Sequence, residues 1–230
     1  MRRKLPNESG KSPFPKPSRV RWRLCFIADS EAAAGKDVLH LIAEAVAGGA
    51  TTVQLRGKKW TSREFLERGV EAVRLLRPQR IPLIINDRMD IALACEADGV
   101  HLGQDDMPLS YARKILGKKR IIGISASTVA EAETAEKEGA DYIGVGAIFR
   151  TFSKKDIGPL LGLEGLRKIR HRVNIPILAI GGISAANAAE VISAGADGVG
   201  VISAITAAKD PQKATAGILE AVRKQKDQRS

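Results

Sequence analysis

The sequence predicts an α/β protein, a (β/α)8 TIM barrel, and three observations predict it. From Arg23 onward, short apolar runs alternate with amphipathic stretches, eight of each. The joints leading from stretch to run echo one another: Gly49-Ala50-Thr51, Ala97-Asp98-Gly99, Gly139-Ala140-Asp141-Tyr142 and Gly195-Ala196-Asp197-Gly198. The length, 230 residues, suits one barrel, a fold that takes about 250 residues. A doubly wound open sheet is the alternative, but eight units of this size favour closure.

The apolar runs fall at 24–28, 52–55, 83–85, 100–102, 121–125, 142–148, 176–180 and 198–202. Ala, Gly, Ile and Val dominate the apolar set, as buried parallel strands under close-packed helices require. The helical stretches fall at 38–47, 63–76, 89–97, 109–116, 129–138, 163–171, 185–194 and near 212–224. Glycine just past a helix takes a left-handed cap before the chain enters the next strand. The repeated joints therefore mark the bottom of the barrel, and chemistry is to be sought at the opposite strand ends.

Composition narrows the classes. Hydrophobic residues make up 44% and charged residues 27%, a globular balance. No apolar run approaches the ~18 residues of a membrane span, and the N-terminus lacks the apolar core of a signal peptide. The sequence reads as cytoplasmic. Cys25 and Cys95 lie in apolar runs and read as small core side chains. Much of the net charge of +11 sits at the start, where residues 1–23 hold eight Lys and Arg against Glu8. With Pro6, Pro13, Pro15 and Pro17, this segment reads as a disordered solvating tail. It lacks the aromatic interleaving of a nucleic-acid reader, so no nucleic-acid partner is expected. The expected division is a basic tail over 1–21, one barrel domain over 22–225 and a polar tail over 226–230.

The strand ends carry the candidate site. The last two apolar runs end in Gly181-Gly182-Ile183-Ser184 and Ile202-Ser203-Ala204. Barrels commonly bind phosphate in these two loops, through backbone amides and a short helix N-terminus. The second run ends Gln54-Leu55-Arg56-Gly57-Lys58, with Gln54, Arg56 and Lys58 projecting to one side. Polar side chains there are costly unless they meet a ligand at the mouth. Asn86-Asp87 and Gly103-Gln104-Asp105-Asp106 follow the third and fourth runs. Two carboxylates at neighbouring strand ends suit Mg²⁺ shared with substrate phosphates; Asp106 could instead cap the next helix, and Asp105 reads as solvent-facing. Ser125 ends the fifth run, and a loop with Thr151, Ser153 and Lys154 follows the sixth. His101 should point into the barrel, whereas His40 and His171 read as surface residues.

Taken in order, these pieces resemble the thiamine-phosphate synthase family over about residues 22 to 225. They are Gln54-Leu55-Arg56-x-Lys58, Asn86-Asp87, His101-Leu102-Gly103-Gln104-x-Asp106, Gly123-x-Ser125-Ala126, Thr151-x-Ser153-Lys154-Lys155-Asp156, Ile180-Gly181-Gly182-Ile183 and Val201-Ile202-Ser203-Ala204. The resemblance implies a transferase that joins a hydroxymethylpyrimidine diphosphate to a hydroxyethylthiazole phosphate and releases diphosphate. It implies that Gln54, Arg56, Lys58, Asn86, Ser125 and Lys154 hold the pyrimidine diphosphate, in a stretch that includes Leu55 and Gly57. Arg56, Lys58, Ser125 and Lys154 would serve the chemistry. Asp87 and Asp106 would hold Mg²⁺, and Thr151, Ser153, Gly182, Ile202 and Ser203 the thiazole phosphate. The family mechanism proceeds through a pyrimidine methylene cation, so it needs positioning and charge stabilisation more than a strong base. A homo-oligomer is compatible with this pattern.

Some positions depart from the family. Gly57 stands where Glu is common, Ser127 where His is frequent, and Ala147 and Arg150 replace common prolines. Other readings are a thiazole tautomerase of the same fold, a sugar-phosphate epimerase or aldolase, and a non-catalytic barrel that binds a thiamine precursor. The first keeps a histidine near Ser127 and lacks an acid equivalent to Asp106. Asn86-Asp87 and Ser153-Lys154 argue against the second, and the intact acid pair against the third.

Overall fold

A computed structural model describes residues 20–151 and 160–228. The tail expected over the first residues, and the expected ligands Ser153 and Lys154, lie outside the described residues. The strands are β1 (Leu24–Asp29), β2 (Thr52–Arg56), β3 (Leu83–Asn86), β4 (Gly99–Leu102), β5 (Ile121–Ala126), β6 (Tyr142–Val145), β7 (Ile177–Ile180) and β8 (Gly198–Val201). They pair in parallel, in sequence order, and β8 closes on β1. The helices are α1 (Val38–Ala47), α2 (Ser62–Leu76), α3 (Met89–Ala94), α4 (Leu109–Leu116), α5 (Val129–Glu138), α6 (Gly162–Arg170), α7 (Ala188–Ser193), a short α8 (Ser203–Thr206) and α9 (Pro211–Asp227). The closed (β/α)8 barrel is the expected fold. The final helix runs to Asp227, past the expected boundary at 225.

Most other expected bounds hold to within a residue or so, and three that shift by three residues do so for a local reason. The sixth strand stops at Val145, because the Ile148 amide turns to donate to the Ile180 carbonyl at 3.0 Å. Helix α3 stops at Ala94, and Glu96 takes the left-handed conformation with φ 56°. Helix α7 starts at Ala188, because the Asn187 carboxamide accepts the Ser184 amide at 2.8 Å and holds a turn ahead of it.

Period-two alternation sorts each strand into two faces. Outward residues such as Leu55, Ile85, Val100, Ile143 and Val199 form the main core under the helices. Inward residues Cys25, Ile27, Ile84, Ile121, Tyr142, Leu178 and Ile202 fill the barrel. Trp22, just before β1, seals the floor and packs on Tyr142 with ring centroids 4.3 Å apart.

The repeated joints have a shared cause. At each, the residue's own amide and side chain grip the first residues of the preceding strand. The Asp98 carboxylate accepts the Leu83 amide at 2.9 Å, Asp141 that of Ile122 at 2.8 Å, and Asp197 that of Ile177 at 2.9 Å. Thr51 does the same for Leu24 through its hydroxyl at 3.0 Å. The backbone amides of Thr51, Asp98, Asp141 and Asp197 return bonds to Leu24, Leu83, Ile122 and Ile177. Gly49, Gly139 and Gly195 supply the left-handed step, while Glu96 takes it at the Asp98 joint. The echo thus encodes strand-to-strand registration at the barrel floor, which leaves the opposite rim to chemistry.

Candidate active site

The C-terminal rim gathers charge on β1 to β4. Arg56 ends β2 and forms an ion pair with Asp29, which ends β1. Asp29 is 1% exposed and Arg56 13%. The other carboxylate oxygen of Asp29 accepts the amides of Glu31 and Ala32, both at 2.9 Å. Asp29 therefore fixes the base of the guanidinium, whose five N–H donors leave capacity for a second acceptor. Sequence reasoning missed Asp29, since the apolar run 24–28 ends one residue earlier. An acid placed just past a strand end was the available signal.

Lys58 lies on the loop after β2 and reaches Asp87 after β3 at 2.6 Å. The pairing crosses from one loop to the next, so linear spacing does not reveal it. Asp87 adopts φ 60°, a left-handed conformation uncommon outside glycine. Its amide is bonded to the His101 carbonyl at 2.8 Å, which ties this unusual turn to β4.

Asp106 does not cap α4, whose N-cap is Pro108. Its carboxylate instead accepts the Gly103 amide at 2.7 Å, folding the loop back over the rim. Burial raises the Asp106 pKa most, and the hydrogen-bonded, like-charged Asp87 raises it further. The Gly103 amide and Lys58 pull it the other way. The two acids thus converge, as their places after adjacent strands imply. Asp105 is exposed. Gln104 donates to the Ser125 carbonyl at 2.5 Å and staples this loop to β5.

Beneath the rim, Gln54 and Asn86 are buried on the inner face, at 4% and 6% exposure. His101 points inward as expected. Its Nε2 lies 3.0 Å from the Ser125 hydroxyl and its Nδ1 lies 2.8 Å from the Tyr142 hydroxyl. Two expected contact residues sit differently. The Leu55 side chain faces the helical layer. Gly57 lies under Trp60, and a Cβ there would come within 2.1 Å of the indole. A larger side chain at this position would require the Trp60 indole to shift.

The far side of the rim is built from backbone. Gly182 has φ 66°, and a Cβ on it would meet the Arg150 carbonyl at 2.6 Å. Its glycine is required by the neighbouring loop as well as by any approaching anion. Ile202 caps α8, and exposed Ser203 begins it. Thr151 is half-buried beyond β6. Among the described residues, no cluster of three or more His, Cys, Asp or Glu side chains forms a metal cage, and no helix is long and apolar enough to cross a membrane.

A closed parallel barrel with charged and polar side chains gathered at its C-terminal mouth defines the class: a (β/α)8 barrel enzyme. The family model for thiamine monophosphate synthase matches residues 24–205. A thiamine-phosphate synthase of Moorella thermoacetica is 51% identical over 202 residues, covering 88% of this chain and 96% of that one. That of Chloroflexus aurantiacus is 50% identical over 191 residues, covering 83% and 88%. The solved thiamine phosphate pyrophosphorylase from Pyrococcus furiosus superposes with a TM-score of 0.82 at 42% identity, covering 90% and 98%. The chain belongs to the thiamine monophosphate synthase family.

Proposed function

We propose that this mouth joins a hydroxymethylpyrimidine diphosphate to a hydroxyethylthiazole phosphate, giving thiamine phosphate and free diphosphate. The observation that carries the reading is the gathering of Arg56, Lys58, Asp87 and Asp106 on one side of the rim, with Ser125 on β5 joined to the Asp106 loop through Gln104. The bond between the pyrimidine methylene carbon and the diphosphate oxygen breaks, and the thiazole nitrogen supplies the electron pair that replaces it. Diphosphate leaves with its negative charge increasing, so fixed cations at the rim lower the barrier. Arg56 arrives pre-oriented by Asp29. Lys58 is 51% exposed on a flexible stem and can exchange Asp87 for a phosphate oxygen. Lys154 belongs to the same binding set by family resemblance.

The acid pair fits a divalent cation. Two adjacent carboxylates, one with its pKa raised partly by the other, gain most from a shared positive charge. Oxygen donors few in number suit Mg²⁺, which is commonly bound by one or two carboxylates plus substrate phosphates. Asp87 and Asp106 would hold it, and it would supply charge neutralisation of the diphosphate. Gln54, Asn86 and Ser125 would orient the pyrimidine from below. Thr151, Ser153, Gly182, Ile202 and Ser203 would hold the thiazole phosphate across the mouth. A cytoplasmic location, small-molecule substrates and no nucleic-acid partner belong to the same reading. The test is turnover with both substrates and Mg²⁺, followed as diphosphate release. Release that requires the thiazole phosphate supports condensation, and release without it refutes this reading.

A further inference from the structure

Branched aliphatic side chains dominate the interior of most (β/α)8 barrels. Ile27, Ile84, Ile121 and Leu178 follow that rule here, but His101 and Tyr142 do not. Both rings are buried inside the barrel and bonded to each other at 2.8 Å. Glycines make room for them. A Cβ on Gly123 of β5 would lie 2.1 Å from the Tyr142 ring, and one on Gly144 of β6 would lie 2.8 Å from His101. Glycine weakens a strand interior, and buried polar groups are costly unless bonded. The barrel carries both costs to place this pair directly beneath Ser125, whose hydroxyl is 3.0 Å from His101 Nε2.

We infer that Tyr142 is a positioning residue for the reaction: its hydroxyl donates to His101 Nδ1, which fixes the Nε2–H tautomer, and that N–H donates to Ser125. The Ser125 proton is then turned outward toward the substrate. This inference rests on the function proposed above.

The direction of the chain follows from donor and acceptor capacity. Burial raises the Tyr142 pKa well above its usual value, so the phenol keeps a proton to give. The phenol, with its proton and 2.8 Å from Nδ1, can donate to the ring nitrogen. At the other end, diphosphate oxygens only accept hydrogen bonds. Ser125 serves such a group by donating, which requires its own oxygen to accept from His101. A neutral imidazole with Nδ1 accepting and Nε2–H donating satisfies both ends.

The test is ¹⁵N NMR of the histidine rings in the substrate-free protein at neutral pH, where the two neutral tautomers give distinct nitrogen shifts. The sequence holds three histidines, and a His101→Asn variant identifies the His101 signals by their loss. The expected wild-type signature is Nε2–H, moving toward Nδ1–H or a mixture in Tyr142→Phe. That variant should lose about tenfold in kcat, on the order expected for one net hydrogen bond. Combining it with Ser125→Ala should add no further loss. An Nδ1–H signature in wild type would overturn the inference, and this outcome stands even if Tyr142→Phe fails to fold. A folded Tyr142→Phe that keeps the wild-type tautomer would overturn it too, leaving a structural role alone. Because the tautomer is read without substrate, a failed turnover assay would count against the proposed function and not against this chain of bonds.

Discussion

The two sides of the barrel mouth are built from different materials. On β1 to β4 the rim is made of charged side chains: Asp29 with Arg56, Lys58 with Asp87, and Asp106 against Asp87. On β7 and β8 it is made of a glycine turn and the start of a four-residue helix, with Ser203 at its head. The difference fits the two substrates. A diphosphate that must leave needs countercharge aimed at the charge it gains on departure. A phosphate that stays on its substrate needs only a fixed cradle of donors. Under the proposed function, chemistry falls to the first side and docking to the second.

The sharpest test acts on the charged side. Asp87→Asn and Asp106→Asn should fold normally and lose turnover by about 10² or more, as when several kcal/mol of charge stabilisation is removed. Chelation of the wild type should match that loss, and added Mg²⁺ should reverse it. Full turnover in chelated enzyme would remove the metal from the account. Next in size, Asp29→Ala strands the nearly buried Arg56 without its partner. Breaking a buried pair costs about 3–5 kcal/mol, so thermal denaturation should show a markedly lower midpoint and turnover should fall. An unchanged midpoint would mean that Arg56 finds another partner. On the docking side, Ser203→Asp sets a carboxylate against a dianion. The KM for the thiazole phosphate should rise at least tenfold, on the scale of one misplaced charge, while that for the pyrimidine diphosphate changes little. Equal effects on both would erase the division. The smallest effect belongs to the segment before Val20, the first described residue, which itself packs against the barrel interior. Deleting residues 2–19 should leave turnover within a few-fold of the full chain, and a larger loss in a folded variant would give that segment a role at the mouth.

How far the sequence reveals these two sides depends on whether a feature is local. The strands and helices are legible because burial imposes a periodicity along the chain; α1, α4 and α5 occupy the expected ranges. The acids and cations of the rim are legible by type, since Arg56, Lys58, Asp87 and Asp106 interrupt apolar or turn sequence. Their partnerships are not, because Lys58 meets Asp87 across space. Asp29 escapes notice because it extends an apolar run by one residue. Tyr142 reads as an ordinary core aromatic until Gly123 and Gly144 are seen to clear its space and that of His101. The floor joints show the same limit: the repeat is visible, but its reason lies in amides contributed by another strand.

The placement of the two tryptophans makes the molecule its own optical gauge. Trp22 is sealed at the floor against Tyr142, while Trp60 roofs Gly57 beside Lys58 and is partly exposed. Fluorescence therefore splits by depth. The floor indole reports whether the barrel is intact, and the rim indole reports what happens next to Lys58 and its proposed ligand. A Trp60→Phe protein would still signal unfolding but would be blind to ligand arrival, so the two events can be followed in one cuvette without an added dye.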